Sequence, residues 1–269
     1  MQSASSGQRG PNANHFPTHL FRSWQQLRSR LDSAQGCALF LDLDGTLVPL
    51  RPRPADVHLS RQTRKILTLL ERHKNLHLSF VSGRQLKVLR HIIGMDQVHY
   101  VGLHGAERED ESLCVSEESA RALLRAKRFA QKQLRGLPGI WMEDKGLSFA
   151  LHYWKARPAT IRAADLALRG ILSPAPGVLH VLKGNRVWEV MPKEIPGKGV
   201  AVRALLAALP ENTLGIYVGD DVTDETAFAA LNDQVTVKVG RTRGTLAHFY
   251  LRNPAEVFRF LSRLETLLP

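Results

Sequence analysis

Asp42 and Asp44 lie one residue apart at the end of the apolar run Cys37-Ala38-Leu39-Phe40-Leu41, and Gly45-Thr46 follows at once. Alternate residues of a strand point the same way, so the two carboxylates leave the strand end close together. Gly45 lets the chain turn immediately. Paired carboxylates at the edge of a buried strand are costly unless a cation joins them. That edge of a parallel sheet is also where α/β folds hold ligands. A second acidic cluster, Gly219-Asp220-Asp221-Val222-Thr223-Asp224-Glu225, follows the apolar run Leu214 to Val218. Helix capping and favourable charge at a helix start would explain this cluster taken alone. If the two strands are neighbours, their carboxylates converge. Oxygen-only ligation of that kind suits Mg2+ together with a substrate phosphate oxygen.

The elements that must position these groups alternate. Leu20, Trp24, Leu27 and Leu31 have helical spacing, and the first strand then ends at Asp42. Val48 to Pro54 is a proline-broken loop. Ser60 predicts the N-cap of a helix through Arg72. Leu76 to Val81 reads as a buried strand, Ser82-Gly83-Arg84 as the loop opening the next helix, and Val98 to Leu103 as another strand. Strands that are apolar throughout, alternating with helices, predict a parallel sheet covered on both faces.

The texture changes near His104. A polar hairpin is expected over Glu107 to Val115 and a charged amphipathic helix over Ser116 to Leu134. Short strands at 140–143, 147–153, 178–182 and 186–190, with a helix over Ala159 to Leu172, predict an antiparallel α+β unit. After Pro192 the first texture returns, with helices from Gly199, Asp224 and Ala255 and strands at 214–218 and 235–239. The expected fold is therefore α/β, a Rossmann-like parallel-sheet core with an inserted α+β cap. We place the catalytic core at 19–105 and 192–269, the cap at 106–191 and a disordered lead at 1–18.

The chain has 269 residues, 43% hydrophobic, and lysine plus arginine exceed aspartate plus glutamate by 37 to 25, a net +12. Such a balance suits an anionic partner. The basic stretch Arg121, Arg125, Lys127, Arg128, Lys132, Arg135 lacks interleaved aromatics, which argues for a solvated face and against nucleic acid. Cys37 and Cys114 give neither a disulfide framework nor a zinc pattern, so a cytoplasmic setting is expected. No apolar stretch reaches the roughly 20 residues of a membrane helix. A monomer with no membrane partner is the expectation.

Four pieces in order carry a family resemblance: Asp42-x-Asp44-Gly-Thr, Ser82-Gly83-Arg84, Lys198, and Gly219-Asp220-Asp221-x-Thr-Asp224. Together they resemble the haloacid dehalogenase superfamily of phosphotransferases. The segments between them, Gly102-Leu103-His104-Gly105-Ala106-Glu107, Glu143-Asp144-Lys145, His152-Tyr153 and Glu189-Val190-Met191-Pro192, are similar to trehalose-6-phosphate phosphatases. The pattern departs from that family at Met191, Gly197 and Trp154, with Lys155 next in sequence.

The chemistry follows from residue types. Asp42 is the candidate nucleophile, attacking phosphorus to give an aspartyl-phosphate. Asp44 is the candidate general acid and base. Ser82 can donate to phosphoryl oxygens and Lys198 can neutralise them; helix capping is the alternative for Ser82. A cation at a helix start opposes the helix dipole, so Lys198 calls for an anionic partner. The metal set would be Asp42, Asp44 (through its backbone carbonyl, as the resemblance implies), Asp220 and Asp224, the last in support. The resemblance further implies that Glu143, Lys145 and Glu189 bind sugar hydroxyls. Gly83, Arg84 and His104 join the substrate-binding candidates, with an ion pair for Arg84 and core packing for His104 as alternatives. Trp141, Tyr153 and Trp154 are either sugar platforms or packing. The leading expectation is a Mg2+-dependent phosphatase acting on trehalose 6-phosphate, with a cap that closes over substrate. A related enzyme for sucrose, mannosyl or nucleotide phosphates, or an inactive basic binding protein of the same fold, is the alternative.

Overall fold

The computed structural model describes residues 16–109, 113–173 and 176–268. β1 (Thr18–His19) leads through a 3-10 turn into α1 (Trp24–Ser33) and β2 (Gly36–Leu41). α2 (Arg61–Glu71), β3 (Leu76–Val81), α3 (Leu86–Ile93), β4 (His99–Gly102) and β5 (Glu107–Arg108) follow. A second group comprises α4 (Glu117–Gln133), β6 (Trp141–Asp144), β7 (Phe149–His152), α5 (Pro158–Leu172), β8 (Leu179–Gly184) and β9 (Val187–Pro192). The chain returns through α6 (Lys198–Ala207), β10 (Thr213–Gly219), α7 (Glu225–Ala230), β11 (Val235–Val239), β12 (Phe249–Leu251) and α8 (Pro254–Glu265).

The large sheet has the order β1-β12-β11-β10-β2-β3-β4-β5. Every neighbouring pair is parallel except β4 and β5. β2 sits in the middle, with Cys37 facing Leu214 of β10 on one side and Leu76 of β3 on the other. Its side chains alternate between two cores. Leu39 and Leu41 pack with Leu27, Leu67 and Phe260 of α1, α2 and α8. Ala38 and Phe40 pack with Val202 of α6 and Phe228 of α7. A strand apolar on both faces can only be stable when helices cover both. The loops after β2, β3 and β10 therefore leave one sheet edge side by side, the place where such folds hold ligands.

The small sheet, order β6-β7-β9-β8, is antiparallel throughout. One face buries Phe149, Leu151, Trp188 and Val190 beneath Ala126 of α4 and Leu168 of α5. By strand alternation the opposite face carries Trp141 and Glu143 of β6, their partners His152 and Ala150 of β7, and Val187 and Glu189 of β9. The parallel-sheet core with a separate α+β sheet is the fold class predicted from the strand pattern.

One region differs from expectation. The lead is expected through residue 18, yet the Thr18 backbone N–H donates to His248 O at 3.1 Å and Thr18 pairs with Phe249. Phe16 lies against the Arg241 and Arg243 guanidiniums, 4.9 and 5.5 Å from its ring centroid. Residues 1–15 of the expected lead lie outside the described residues, as do 110–112 of the expected hairpin, of which Glu107–Arg108 pairs with β4. Among the described residues no helix is long and apolar enough to cross a membrane.

Candidate active site

Asp42 follows β2 directly, Asp220 follows β10, and Asp224 closes the 3-10 turn before α7. One carboxylate oxygen from each lies within 4.8 Å of the others. Lys198, the first residue of α6, is buried between them: its Nζ donates to Asp42 Oδ1 at 2.7 Å and to Asp224 Oδ1 at 2.7 Å. This resolves why a lysine occupies a helix start. Asp224 also accepts from the Tyr217 hydroxyl at 2.7 Å and from the Asp221 N–H at 2.8 Å. Gly45 makes room for the cluster. It holds φ +85°, and a Cβ there would lie 2.1 Å from Asp220 Oδ2.

The charges do not balance. A single lysine bonds two of the three clustered carboxylates, those of Asp42 and Asp224, and Asp220 Oδ1 is buried with no hydrogen-bond partner. Burial, opposed only in part by Lys198 and reinforced by Asp224, pushes the Asp42 carboxyl up to about 7. Burial and the charge of Asp42 push Asp220 up to about 9. For Asp224, burial acts upward but Lys198 and Tyr217 outweigh it and hold the carboxyl below its usual value. Burial alone would depress Lys198, yet Asp224 and Asp42 hold its ammonium well above the usual lysine value. The set lacks a positive charge on its Asp42–Asp220 side, and its donors are all oxygens. That is the chemistry of a hard divalent cation. Asp42 and Asp220 fit as direct ligands; Asp224, with both oxygens already engaged, fits as their support.

Asp44 turns away from this cluster. Both of its oxygens accept from Arg84, Oδ2 from Nε at 2.6 Å and Oδ1 from an Nη at 2.8 Å, and the third nitrogen of the guanidinium donates to Pro54 O at 3.1 Å. The side-chain fork pairs Arg84 with Asp44, and Arg84 lines the same pocket. Ser82 is buried, and its hydroxyl accepts the Arg84 N–H at 3.2 Å, leaving its own hydrogen to donate. It does not cap α3, whose N-cap is Gln85.

A second buried cluster faces the first. Glu189 accepts from Lys145 Nζ at 2.8 Å and from the Ser148 hydroxyl at 2.6 Å, and lies 3.2 Å from His104 Nε2. Lys145 also donates to Gly83 O at 3.0 Å, tying the small sheet to the large one. Burial works against the Glu189 carboxylate, but Lys145 and His104 hold its carboxyl well below the usual range. His104 approaches from a turn in which Leu103 and His104 both have positive φ, 44° and 55°. Such backbone costs of order 1–3 kcal/mol per residue and persists at sites where surrounding structure fixes it. Gly83 admits the imidazole, since a Cβ there would lie 2.5 Å from it. Glu143 is held by His152, Nε2 to Oε2 2.9 Å.

Asp42, Asp44, Ser82, Gly83, Arg84, His104, Glu143, Lys145, Glu189, Lys198 and Asp220 all line one pocket between the two sheets. Asp224 sits behind it, buried beneath Lys198. Sequence reading missed Tyr217, Ser148 and His152 as partners, and Asn185, Asp221 and Thr223 as lining. Of the departures from the family pattern, Met191 is buried against Leu103 and Ile195. Trp154 lines the pocket, with the Arg186 guanidinium 5.6 Å from its ring, and Lys155 lines the adjoining cleft instead. Tyr153 packs on Trp188 in the small sheet's core, ring centroids 4.5 Å apart.

Comparison with known proteins gives the same picture. The family profile described as trehalose-phosphatase matches residues 40–254. The trehalose-6-phosphate phosphatase of Escherichia coli K12 is 31% identical over 241 residues, covering 86% of this chain and 87% of that protein. Trehalose-phosphate phosphatase B of Arabidopsis thaliana is 25% identical over 247 residues, 84% of this chain but 65% of its own length. Among solved structures, the C-terminal domain of the C. albicans trehalose-6-phosphate phosphatase superposes with a TM-score of 0.77 at 22% identity, covering 95% of this chain and 99% of that one. That identity speaks for a shared fold only. The profile match over most of the chain, joined to the E. coli relationship, places it: the chain belongs to the trehalose-phosphatase family, a family of phosphoric monoester hydrolases.

Proposed function

We propose that this protein hydrolyses trehalose 6-phosphate to trehalose and phosphate with Mg2+ as cofactor. The observation that carries the reading is the composition of the pocket: Asp42, Ser82 and Lys198 from the large sheet face Glu143, Lys145 and Glu189 from the small one. One side suits a phosphate, the other a polyhydroxylated sugar. Residues 106–191 act as the cap and 19–105 with 192–269 as the catalytic core.

The phosphate would sit where the Ser82 hydroxyl and the one ammonium hydrogen of Lys198 not bound to Asp42 or Asp224 both point at its oxygens. An Asp42 oxygen attacks phosphorus, and the bond to the sugar oxygen breaks. That oxygen takes its proton from Asp44. Asp44 then removes a proton from the water that attacks the aspartyl-phosphate, which returns free Asp42 and phosphate. Arg84 occupies both oxygens of the Asp44 carboxylate, so Asp44 must leave the ion pair and take up a proton before the first step; the proton it later removes from water restores the acid for the next turnover. Asp42 and Asp220 would hold the divalent cation, which neutralises charge on the phosphoryl group when bound.

Phosphate release from a panel of sugar phosphates, with and without Mg2+, tests the reading. Trehalose 6-phosphate is expected to be the preferred substrate. Asp42→Asn should lower kcat by roughly 10⁴-fold or more, as loss of a nucleophile does elsewhere, with the melting temperature retained. Turnover of the variant at the normal rate would remove Asp42 from the nucleophile role. Preference for sucrose or nucleotide phosphates would replace the substrate.

A further inference from the structure

Trp141 is exposed on the sheet face that carries Glu143, Glu189 and His152, and nothing in the chemistry above uses it. It faces His152 across β6 and β7. The indole lies flat on the His152 imidazole, ring centroids 3.9 Å apart and planes 8° from parallel. His152 in turn holds Glu143 at 2.9 Å, so ring, imidazole and carboxylate form one braced unit. His152 covers one face of the indole. The rest of Trp141, 38% exposed, borders a cleft shared with Arg53, Pro54, Ala55 and Glu143. Pro54 and Glu143 also line the central pocket, so cleft and pocket adjoin at these two residues.

We propose that Trp141 is the stacking platform of a second sugar subsite at the mouth of the pocket, which takes the pyranose ring that bears no phosphate. The proposal rests on the phosphatase reading for the placement of the first ring and deepens it. A pyranose presents an apolar face of C–H groups and a rim of hydroxyls. A flat, braced aromatic ring matches the face at little cost in side-chain freedom. Glu143 and Arg53, which line the same cleft, offer the charged hydrogen-bond partners that hydroxyls favour. A cap-packing residue would instead be buried with Met142 and Leu151 on the opposite face, where the small sheet's core lies. The platform would make Trp141 the residue that separates disaccharide from monosaccharide phosphates.

The experiment compares trehalose 6-phosphate and glucose 6-phosphate in the wild type, Trp141→Ala and Trp141→Phe, and adds calorimetric titration with unphosphorylated trehalose. Trp141→Ala should lower the disaccharide-to-monosaccharide ratio of kcat/KM about tenfold, chiefly through KM, the size expected for one lost ring stack. Trehalose affinity should fall by a similar factor. Trp141→Phe, which keeps a flat ring, should stay within about threefold of wild type. An equal fall for both substrates would make Trp141 a structural residue, and an unchanged ratio would remove the subsite. If the wild type releases phosphate from neither sugar, the phosphatase reading fails. The trehalose titration then decides alone, and equal affinities of wild type and Trp141→Ala would overturn the platform.

Discussion

Two buried clusters face each other across the pocket, and each joins carboxylate to a single lysine. On the small sheet, Glu189 meets Lys145, His104 and Ser148, so the cluster is balanced and its carboxyl is pulled down. On the large sheet, Lys198 meets Asp42 and Asp224 while Asp220 stays unpaired, and burial pushes Asp42 and Asp220 up. The difference separates two jobs that burial alone would not distinguish. A balanced cluster fixes the shape of a binding surface. An unbalanced one holds a standing demand for a cation and has a carboxylate free to react.

The sharpest way to break this contrast is to remove the demand. Chelation is expected to lower phosphate release by about 100-fold or more, since the divalent cation supplies the charge the cluster lacks. Mg2+ should raise the melting temperature of the wild type by several degrees, as a ligand that binds only the folded state does. Asp220→Asn should lose most of that shift. A full Mg2+ shift in the variant would place the cation elsewhere.

Next in size is the balanced side. Glu189→Gln leaves Lys145 buried without its counter-charge and should cost about 3 kcal/mol in urea denaturation. The sign with pH follows from the depressed Glu189 carboxyl. Its contribution is present above the ordinary glutamate value of about 4.3 and is lost as pH falls below it. The gap between wild type and Glu189→Gln should therefore narrow on acidification. Asp42 and Asp220 carry the opposite sign: their raised carboxyls make the metal-free fold less stable as pH rises toward about 7 and about 9. A gap for Glu189→Gln that widens in acid would reverse the assignment of the two clusters.

The smallest expected effect is Tyr217→Phe. It removes one of the donors on Asp224 and should cost about 1 kcal/mol, with Mg2+ affinity within a few fold of wild type. A loss as large as that of Asp220→Asn would show that Asp224 binds the cation directly.

What the sequence disclosed depended on how local the signal was. Asp42, Asp44 and Asp220 announce themselves because acid pairs at the ends of apolar runs are costly and the spacing is contiguous. Ser60 was readable as a cap, and its hydroxyl accepts the Thr63 N–H at 3.0 Å. Glu143, Lys145 and Glu189 are legible only through resemblance, because isolated charges in separate segments carry no local pattern. Tyr217 lay inside an apolar strand and read as core; only the turn back from Asp221 brings Asp224 beneath its hydroxyl. The Arg84–Asp44 pair joins loops of adjacent strands, a contact that exists only once β2 and β3 are paired. β1 and β12, of two and three residues, are too short for periodicity to register.

The position of β2 has a consequence for how the chain is made. Cys37 to Leu41 pairs on one side with β3, which is synthesised soon afterwards, and on the other with β10, which emerges only after the entire small sheet. At ribosomal rates of about 5–20 residues per second, that interval is on the order of ten seconds or more. For that time an apolar, central strand presents an unpaired edge, the feature most prone to pair with a wrong partner. The central strand that ends at Asp42 is thus left half-paired while the small sheet is made, and conditions that slow translation between β4 and β10 are where misassembly would begin.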